Sequence, residues 1–325
     1  MKIFNAVVRI VAVVLMAIAG SAAAQQEYPN KPIRIIVPFA PGGNTSMLAR
    51  LVGQKLAESW GQQVIVDNRP GGNTIIGTEA LLKAPPDGYT MLLVTSSHAI
   101  NPLLMPNLPY DAMKDFAPVA TLASSEYVLV VHPSLSANNL QQFIALAKSR
   151  PGELNYSTAG SGGVQQLASE LFNILAGVRI QGIPYKGGGA AVTDLLGGQV
   201  QLSFQNTPAV VSHINAGKLK GIAITGEKRF VGLPQVPTFT QAGLPGFDVK
   251  NWFALLARSG TPKETVDKLS SDIARALRSP DIKDKLASQG LDPFISTPEQ
   301  FAALMKAEMV KYANVIKAAN IKMEK

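Results

Sequence analysis

No cysteine occurs among the 325 residues, and histidine appears only three times. Thiolate catalysis, zinc–thiolate sites and iron–sulfur clusters are excluded by that composition. His98, His132 and His213 show no metal-ligand spacing, so no metal or other cofactor is implied. Aromatic residues make up 6% of the chain and charged residues 16%, and Lys and Arg form no run interleaved with aromatics. The net charge of +8 is therefore diffuse, and nucleic acid is not an expected partner. Beyond the first 24 residues no apolar run is long enough to cross a bilayer. Repeats are missing too: PGGNT occurs at 41–45 and 70–74, but its flanks do not align, which argues against a structural or adhesion protein.

The start of the chain carries the first positive signal. Lys2 and Arg9 precede an apolar stretch from Ile10 to Ala19, and Gly20 and Ser21 lead into Ala22-Ala23-Ala24. A charged n-region, a short apolar core and an A-x-A exit read as a secretory signal peptide over residues 1–24, cleaved before Gln25. Cleavage would leave 301 residues with a net charge of +6, since both cations leave with the leader. A mature chain of that length divides into two domains, and without disulfides each must be held by its own core.

Strand and helix patterns alternate along it. Ile33 to Phe39, Val64 to Val66 and Met91 to Val94 read as strands, and Met47, Leu48, Leu51, Val52, Leu56 and Trp60 fall on one helical face between the first two. A strand pair at Val119–Leu122 and Tyr127–Val131 follows, then a helix near Leu140–Lys148 and a strand at Leu154–Ser157. After these come a helix from Gln165, a strand ending at Pro184, a helix near Ala190–Leu196 and a strand at Val200–Phe204. Such alternation predicts an α/β fold with mostly parallel sheets. Thr261-Pro262-Lys263-Glu264 and Thr297-Pro298-Glu299-Gln300 each place Thr at an N-cap and Pro at the first helical position, so two amphipathic helices should close the chain.

Two loops have the chemistry of an anion site. Phe39-Ala40-Pro41-Gly42-Gly43 leads from a strand into a helix capped by Asn44 or Thr45, which brings bare amides and a helix N-terminus to the carboxyl end of the strand. It is no nucleotide loop, because the Walker Lys-Ser/Thr pair and the G-x-G-x-x-G spacing are both missing. Tyr156-Ser157-Thr158-Ala159-Gly160-Ser161-Gly162-Gly163 repeats the arrangement about 120 residues later, so the two loops can face each other across a cleft. The second PGGNT, at Pro70 to Thr74, reads mainly as a tight turn into a helix near the rim. Ser96, Ser97, Thr158 and Asn206 are candidates to add polar contacts, with Tyr185 as one wall and His98 as a further contact. Each of the five residues Ser96, Ser97, Thr158, Asn206 and Tyr185 fits a turn or strand-end hydrogen bond equally well.

An enzyme is the competing reading. Ala159-Gly160-Ser161-Gly162-Gly163 nearly matches the G-x-S-x-G elbow, and Asp194 and His213 follow in hydrolase order, which would make a secreted serine esterase with Ser161 as nucleophile. Against it, His213 falls in an ordinary helix pattern.

The segments VPFAPGGNTSMLAR, DNRPGGNTIIG, PPDGYTMLLVTSSHAINP, LPYDAMKDFAPVA, LNYSTAGSGG, PYKGGGAAVTDLLGGQVQLSF and VPTFTQAGLPGF cover the mature chain in order. Together they resemble the Bug (TctC-like) family, the periplasmic solute receptors of tripartite tricarboxylate transporters. That resemblance implies a type 2 Venus-flytrap fold with a ligand cleft between two α/β domains. Domain 1 would comprise residues 25–122 and 223–325, and domain 2 residues 123–222. It implies a receptor that binds a small carboxylate or related organic anion without turnover, acts as a monomer and delivers its ligand to integral membrane transporter subunits. Carried onto this sequence, the first loop supplies Phe39, Gly42, Gly43 and Ser46, and the second supplies Ala159, Gly160, Gly162, Gly163 and Gln166. Ser46 and Gln205 stand where the family commonly has Asp, and Gln166 where it has His. The cleft should therefore be less negative than usual, which counts against an amino-acid ligand.

Overall fold

A computed structural model of the chain describes residues 28–158, 163–185 and 188–321. The expected leader, and Ala159, Gly160, Ser161 and Gly162 of the second loop, lie outside the described residues.

The first half of the chain runs β1 (Ile33–Val37), α1 (Asn44–Trp60), β2 (Val64–Asn68), a 3₁₀ turn (Gly72–Thr74), α2 (Ile75–Leu82), β3 (Thr90–Thr95), α3 (Ser97–Leu104) and β4 (Phe116–Val131). Next come α4 (Leu140–Ser149), β5 (Asn155–Thr158), α5 (Val164–Ala176), β6 (Gln181–Pro184), α6 (Gly188–Leu196), β7 (Leu202–Asn206), α7 (Thr207–Asn215) and β8 (Lys220–Ile224). The chain ends with β9 (Lys250–Arg258), α8 (Lys263–Arg278), α9 (Pro280–Ser288), β10 (Asp292–Pro293) and α10 (Pro298–Ala319).

The strands lie in the order β2-β1-β3-β9-β4-β7-β5-β6, with β8 and β10 paired to β4. Parallel pairing holds β1 to β2 and β3, and β5 to β6 and β7, whereas β9 and β4 run antiparallel to their neighbours. The architecture is thus α/β with a mixed sheet, not the mostly parallel one that alternation predicts.

The expected strand pair at 119–122 and 127–131 is one strand of 16 residues, β4. Ser124-Ser125-Glu126 reads as a turn because it interrupts the apolar run. It stays extended because β9 arrives opposite, pairing Ser124 with Trp252, Ser125 with Asn251 and Glu126 with Lys250. One residue later the partners change: Tyr127 pairs with Asn206 of β7, and Val128 also with Ile224 of β8. The change of partner is pinned by hydroxyls. Thr225 donates from Oγ1 to the Glu126 carboxylate at 2.6 Å, and Thr207 donates from Oγ1 to the Glu126 carbonyl at 2.9 Å.

Alternation along the strands sets two faces in each lobe. In the first, Ile33, Ile35, Val37, Met91 and Leu93 pack against Leu48, Val52 and Leu56 of α1 and Leu269, Ile273 and Leu277 of α8. Ile36, Leu92 and Val94 face the other way, toward Leu81, Trp252, Phe301 and Met305. The second lobe repeats the arrangement, with Leu129, Val131 and Phe204 on one face and Val128, Val130 and Ile224 on the other. Phe172 of α5 is the hub of the first of these faces, its ring 5.8 Å from those of Phe143 and Phe204 and about 6 Å from those of Phe239 and Phe247. Such pairs add about 0.5–1.5 kcal/mol each beyond burial, which holds α5 and its N-terminus in place.

The C-terminal helices only partly follow expectation. Thr297 caps α10 as predicted, accepting from the Gln300 N–H while Gln300 Oε1 accepts from the Thr297 N–H. Thr261 does not cap α8, which begins one residue later with Pro262 at its cap; the Thr261 hydroxyl donates instead to the Arg258 carbonyl at 2.7 Å. A further helix, α9, starts at Pro280, where Ser279 adopts an extended conformation and ends α8. Helix α10 straddles the molecule: Phe301 and Met305 join the first lobe's core, and Tyr312 and Val315 join the second's.

Candidate functional site

Between the lobes lies a cleft of about 1310 Å³. The first lobe contributes Pro38, Phe39 and Ala40 from the end of β1, the turn Pro70–Thr74, and a face of α3 with its exit. The second contributes the start of α5 at Gly163, Val164 and Gln165, the start of α6, and Gln205, Asn206 and Ala209 around the end of β7. Strand ends and helix starts are where an open α/β sheet offers backbone amides to a ligand.

The helices that follow the two expected loops share one cap, although Gly163 lines the cleft and Gly42 and Gly43 do not. Gly43 precedes α1 with φ −83° and ψ 170°, Gly163 precedes α5 with φ −76° and ψ 165°, and no side chain caps either helix. Intrahelical bonding starts with the Met47 N–H on the Gly43 carbonyl at 3.0 Å and the Leu167 N–H on the Gly163 carbonyl at 3.1 Å. The amides before them have no acceptor within their own helix, and each end carries roughly half a positive charge from the helix dipole. Asn44 and Thr45, expected as caps, are instead the first two helical residues. Neither glycine is required by its backbone: both φ values are ordinary, and a Cβ on Gly163 would meet nothing within 4 Å and on Gly43 only the Thr45 hydroxyl at 4.0 Å. Gly42 differs, because its φ of +94° needs glycine.

Five of the residues expected from sequence line the cleft: Phe39, Ser97, Gly163, Gln205 and Asn206. The polar candidates outside it are taken up by the fold. Ser46 is 2% exposed and donates to Asn68 Oδ1 at 3.1 Å, tying α1 to β2, while Asn68 Nδ2 donates to the Phe39 carbonyl at 2.9 Å and fixes the loop from behind. Ser96 is fully buried and donates to Asn251 Oδ1 of β9 at 2.9 Å. Thr158 is buried at the end of β5, where its carbonyl accepts from the Tyr185 N–H. Gln166 sits on the first turn of α5, but it is the neighbouring Gln165 that reaches the cleft. Tyr185 lies beside Asp194, and its phenol is raised by burial and then by that carboxylate.

His98 is a core residue and not a cleft contact. It is 2% exposed, stacks on Tyr110, meets Phe116 edge-on and shares a hydrogen bond of 3.1 Å with the Ala112 carbonyl. Burial pushes it from 6.5 down to about 4, against the smaller opposing effect of that carbonyl. A depressed folded value means the neutral ring stabilises the fold above pH 6.5, and that contribution is lost as pH falls toward 4. About 3 kcal/mol should vanish between pH 7.5 and 4 on this account. Urea titrations of His98→Gln should show that much less acid sensitivity than the parent; equal slopes would mean His98 does not titrate in this range.

Sequence reasoning missed the second PGGNT as a wall. Gly71, Gly72, Asn73 and Thr74 all have positive φ, from 49° to 121°, which is strained at Asn73 and Thr74. Asn101 of α3 holds them there, donating from Nδ2 to the Asn73 carbonyl at 2.9 Å and to Thr74 Oγ1 at 3.3 Å. One sequence signal was present, the spacing of Ser97 and Asn101 by one helical turn, which puts both on the face that lines the cleft. Gln165 was legible only as the residue next to Gln166. Its Nε2 donates to Gln205 Oε1 at 2.9 Å, and Gln205 Nε2 donates in turn to Ser203 Oγ at 2.9 Å.

Among the described residues, no helix is long and apolar enough to cross a membrane, and no group of three His, Asp or Glu side chains is placed to hold a metal ion.

Residues 48–321 match the family described as "Tripartite tricarboxylate transporter family receptor". Protein BugT of Bordetella pertussis is 40% identical over 315 residues, which span 96% of this chain and 97% of that protein. Among solved structures, R. palustris Rpa4515 with adipate superposes with a TM-score of 0.79 at 35% identity, covering 92% of this chain and 100% of that one. MatC (Rpa3494) from Rhodopseudomonas palustris, with bound malate, gives a TM-score of 0.72 at 32% identity over 89% and 100% of the two chains.

Proposed function

The chain belongs to the tripartite tricarboxylate transporter receptor family, and from that premise we propose that it captures a small carboxylate in the periplasm and hands it to the membrane subunits of a tripartite transporter. The observation that carries this reading is the cleft between the lobes, lined on one side by the end of β1 and the loop leading into α1 and on the other by the glycine-capped start of α5. A carboxylate held by several backbone N–H groups gains about 1.5–3 kcal/mol per charge-assisted bond, and no buried Lys or Arg has to be stripped of water for it. Gly43 and Gly163 serve by leaving their amides uncovered. Phe39, Ser97, Gln205 and Asn206, with Gln165 and Asn101, complete the contact surface.

In this reading the ligand closes the lobes because it touches both, so the closed state gains contacts that the open one lacks. The division expected from sequence, 25–122 with 223–325 against 123–222, shifts on two counts in this reading. Strand β4 changes partner only after Glu126, and Ile224, Phe239, Phe247 and Val249 pack in the second lobe's cores, which puts the return crossing at the start of β9. The charged, apolar and small-residue succession of residues 1–24 supports export through a cleaved leader, after which the receptor works as a monomer.

The esterase alternative finds no support. The relatives belong to a receptor family and not to an enzyme family, and Asp194, its would-be acid, interacts with Tyr185.

A thermal-shift screen of mono-, di- and tricarboxylates tests the proposal. A ligand at a hundredfold its Kd stabilises by about 2.7 kcal/mol, enough to raise Tm by roughly 5 °C. No shift with any carboxylate at millimolar concentration would count against it.

A further inference from the structure

Resting on the carboxylate reading above, we propose that Asn68 is a positioning residue: from behind the first loop it turns the Ala40 N–H toward the cleft, as that loop's donor to a carboxylate. Pro38, Phe39 and Ala40 line the cleft, and Asn68, at the end of β2, does not. Neither Pro38 nor Pro41 carries an N–H. The stretch from 38 to 41 therefore owns two backbone donors, those of Phe39 and Ala40. The direction of the second is set by the carbonyl in the same peptide. That peptide is trans, and a planar trans peptide points its C=O and N–H in opposite directions. Asn68 Nδ2 holds the Phe39 carbonyl at 2.9 Å, so the Ala40 N–H faces away from Asn68. Strand β2 is the outermost strand of the first lobe, and β1, β3, β9 and β4 follow in that order toward the second. An N–H directed away from β2 is thus directed toward the region between the lobes. It has no acceptor among the described residues, and Ala40 is exposed.

Asn68 is itself held on both sides. A backbone carbonyl only accepts, so it is Nδ2 that faces Phe39, and Oδ1 is left for a donor. Ser46 supplies that donor from the first turn of α1, its hydroxyl 3.1 Å from Asn68 Oδ1. The backbone beneath is fixed as well: Asn68 pairs with Val37 across the parallel ladder, and the Arg69 N–H donates to the Val37 carbonyl at 2.8 Å. Ser46, which does not line the cleft, thus acts on it at two removes, through Asn68 and then the Phe39 peptide. A donor fixed in advance pays no ordering cost when an anion arrives, and a charge-assisted bond to it is among the stronger hydrogen bonds.

The experiment is an NMR titration of the purified, amide-labelled receptor with acetate at constant ionic strength, followed at the Ala40 and Gly163 amides. In the parent, the Ala40 amide proton should move downfield as acetate binds, over the same concentration range in which Gly163 responds. Asn68→Leu keeps the bulk of the side chain and removes both hydrogen bonds. It should abolish the Ala40 shift and weaken the affinity read at Gly163 at least tenfold. Ser46→Ala leaves Nδ2 in place and frees Oδ1, so it should shrink the Ala40 shift and weaken affinity at least twofold; it decides the matter alone if Asn68→Leu does not fold. An Ala40 amide that responds to acetate equally in the parent and the folded variants would overturn the inference, because Asn68 would then serve the fold only. A parent in which acetate moves Gly163 and leaves Ala40 unmoved would also overturn it, with the carboxylate reading intact. Silence at both amides would overturn the inference and the reading beneath it together.

Discussion

Gly43→Val and Gly163→Val should each weaken carboxylate binding by at least a hundredfold while moving Tm by no more than about 2 °C. The two halves of this expectation have separate causes. Neither glycine is needed for its own conformation, since φ is −83° at Gly43 and −76° at Gly163, and neither Cβ would meet anything closer than 4.0 Å. Valine is a poorer N-cap than glycine, which accounts for a loss of up to about 1 kcal/mol in a chain of this size. Binding suffers far more, because a branched side chain beside the first-turn amides keeps a carboxylate from reaching them. Two lost charge-assisted hydrogen bonds amount to about 3 kcal/mol or more, and each 1.4 kcal/mol is a factor of ten. Calorimetric titration beside a thermal melt reads both numbers on one sample. Unchanged affinity in a folded variant would show that the amides behind these glycines hold nothing.

Gly77→Val should do the opposite and damage the fold first. Gly77 is buried on α2, where a Cβ would lie 2.6 Å from Pro38 Cβ, 2.9 Å from Pro38 Cα and 3.0 Å from the Arg69 carbonyl. Two of those three neighbours are main-chain atoms, so no rotamer change can make room. Overpacking of this kind costs about 1–3 kcal/mol for small insertions, and valine brings two further methyl groups, so a loss of about 3 kcal/mol or more is expected. At roughly 2 °C per kcal/mol, Tm should fall by 6 °C or more. The close approach at Gly77 presses α2 onto the exit of β1, and the turn Pro70–Thr74 leads directly into α2. Binding should therefore weaken as well, in proportion to the unfolding and not independently of it. A melting temperature within 2 °C of the parent would mean that α2 can move away from Pro38 at little cost.

How far the sequence carried the fold can be seen at particular elements. The apolar face of helix α1 was legible, because Leu48, Leu51, Val52 and Leu56 repeat at helical spacing and all four are buried, although its cap is Gly43 and not Asn44 or Thr45. The capping box at Thr297 was legible because every atom it uses lies within four consecutive residues. Strand β4 was not, since Ser124-Ser125-Glu126 is extended only in the presence of β9, which is more than 120 residues distant in the chain. The candidate site divides along the same line. Its two glycine-rich strand-to-helix loops could be named in advance, but not the caps at Gly43 and Gly163, and Ser46, Ser96 and His98 were polar residues near the right loops that Asn68, Asn251 and the Ala112 carbonyl had already claimed.

By itself, the sequence determined the α/β alternation, the two glycine-rich strand-to-helix loops and the exclusion of thiol chemistry, because each follows from residues close together or from composition. Only the tertiary structure decided that the second PGGNT is a wall and not a rim turn, that Gln165 faces the cleft instead of Gln166, and that α10 joins both lobes. The physical reason is one of range. Periodicity and capping are short-range properties, fixed within a few residues of where they are read. Whether a polar side chain meets solvent, a ligand or another residue depends on which distant segment arrives beside it, and Asn101 reaching back to Asn73 is a contact that no local pattern encodes.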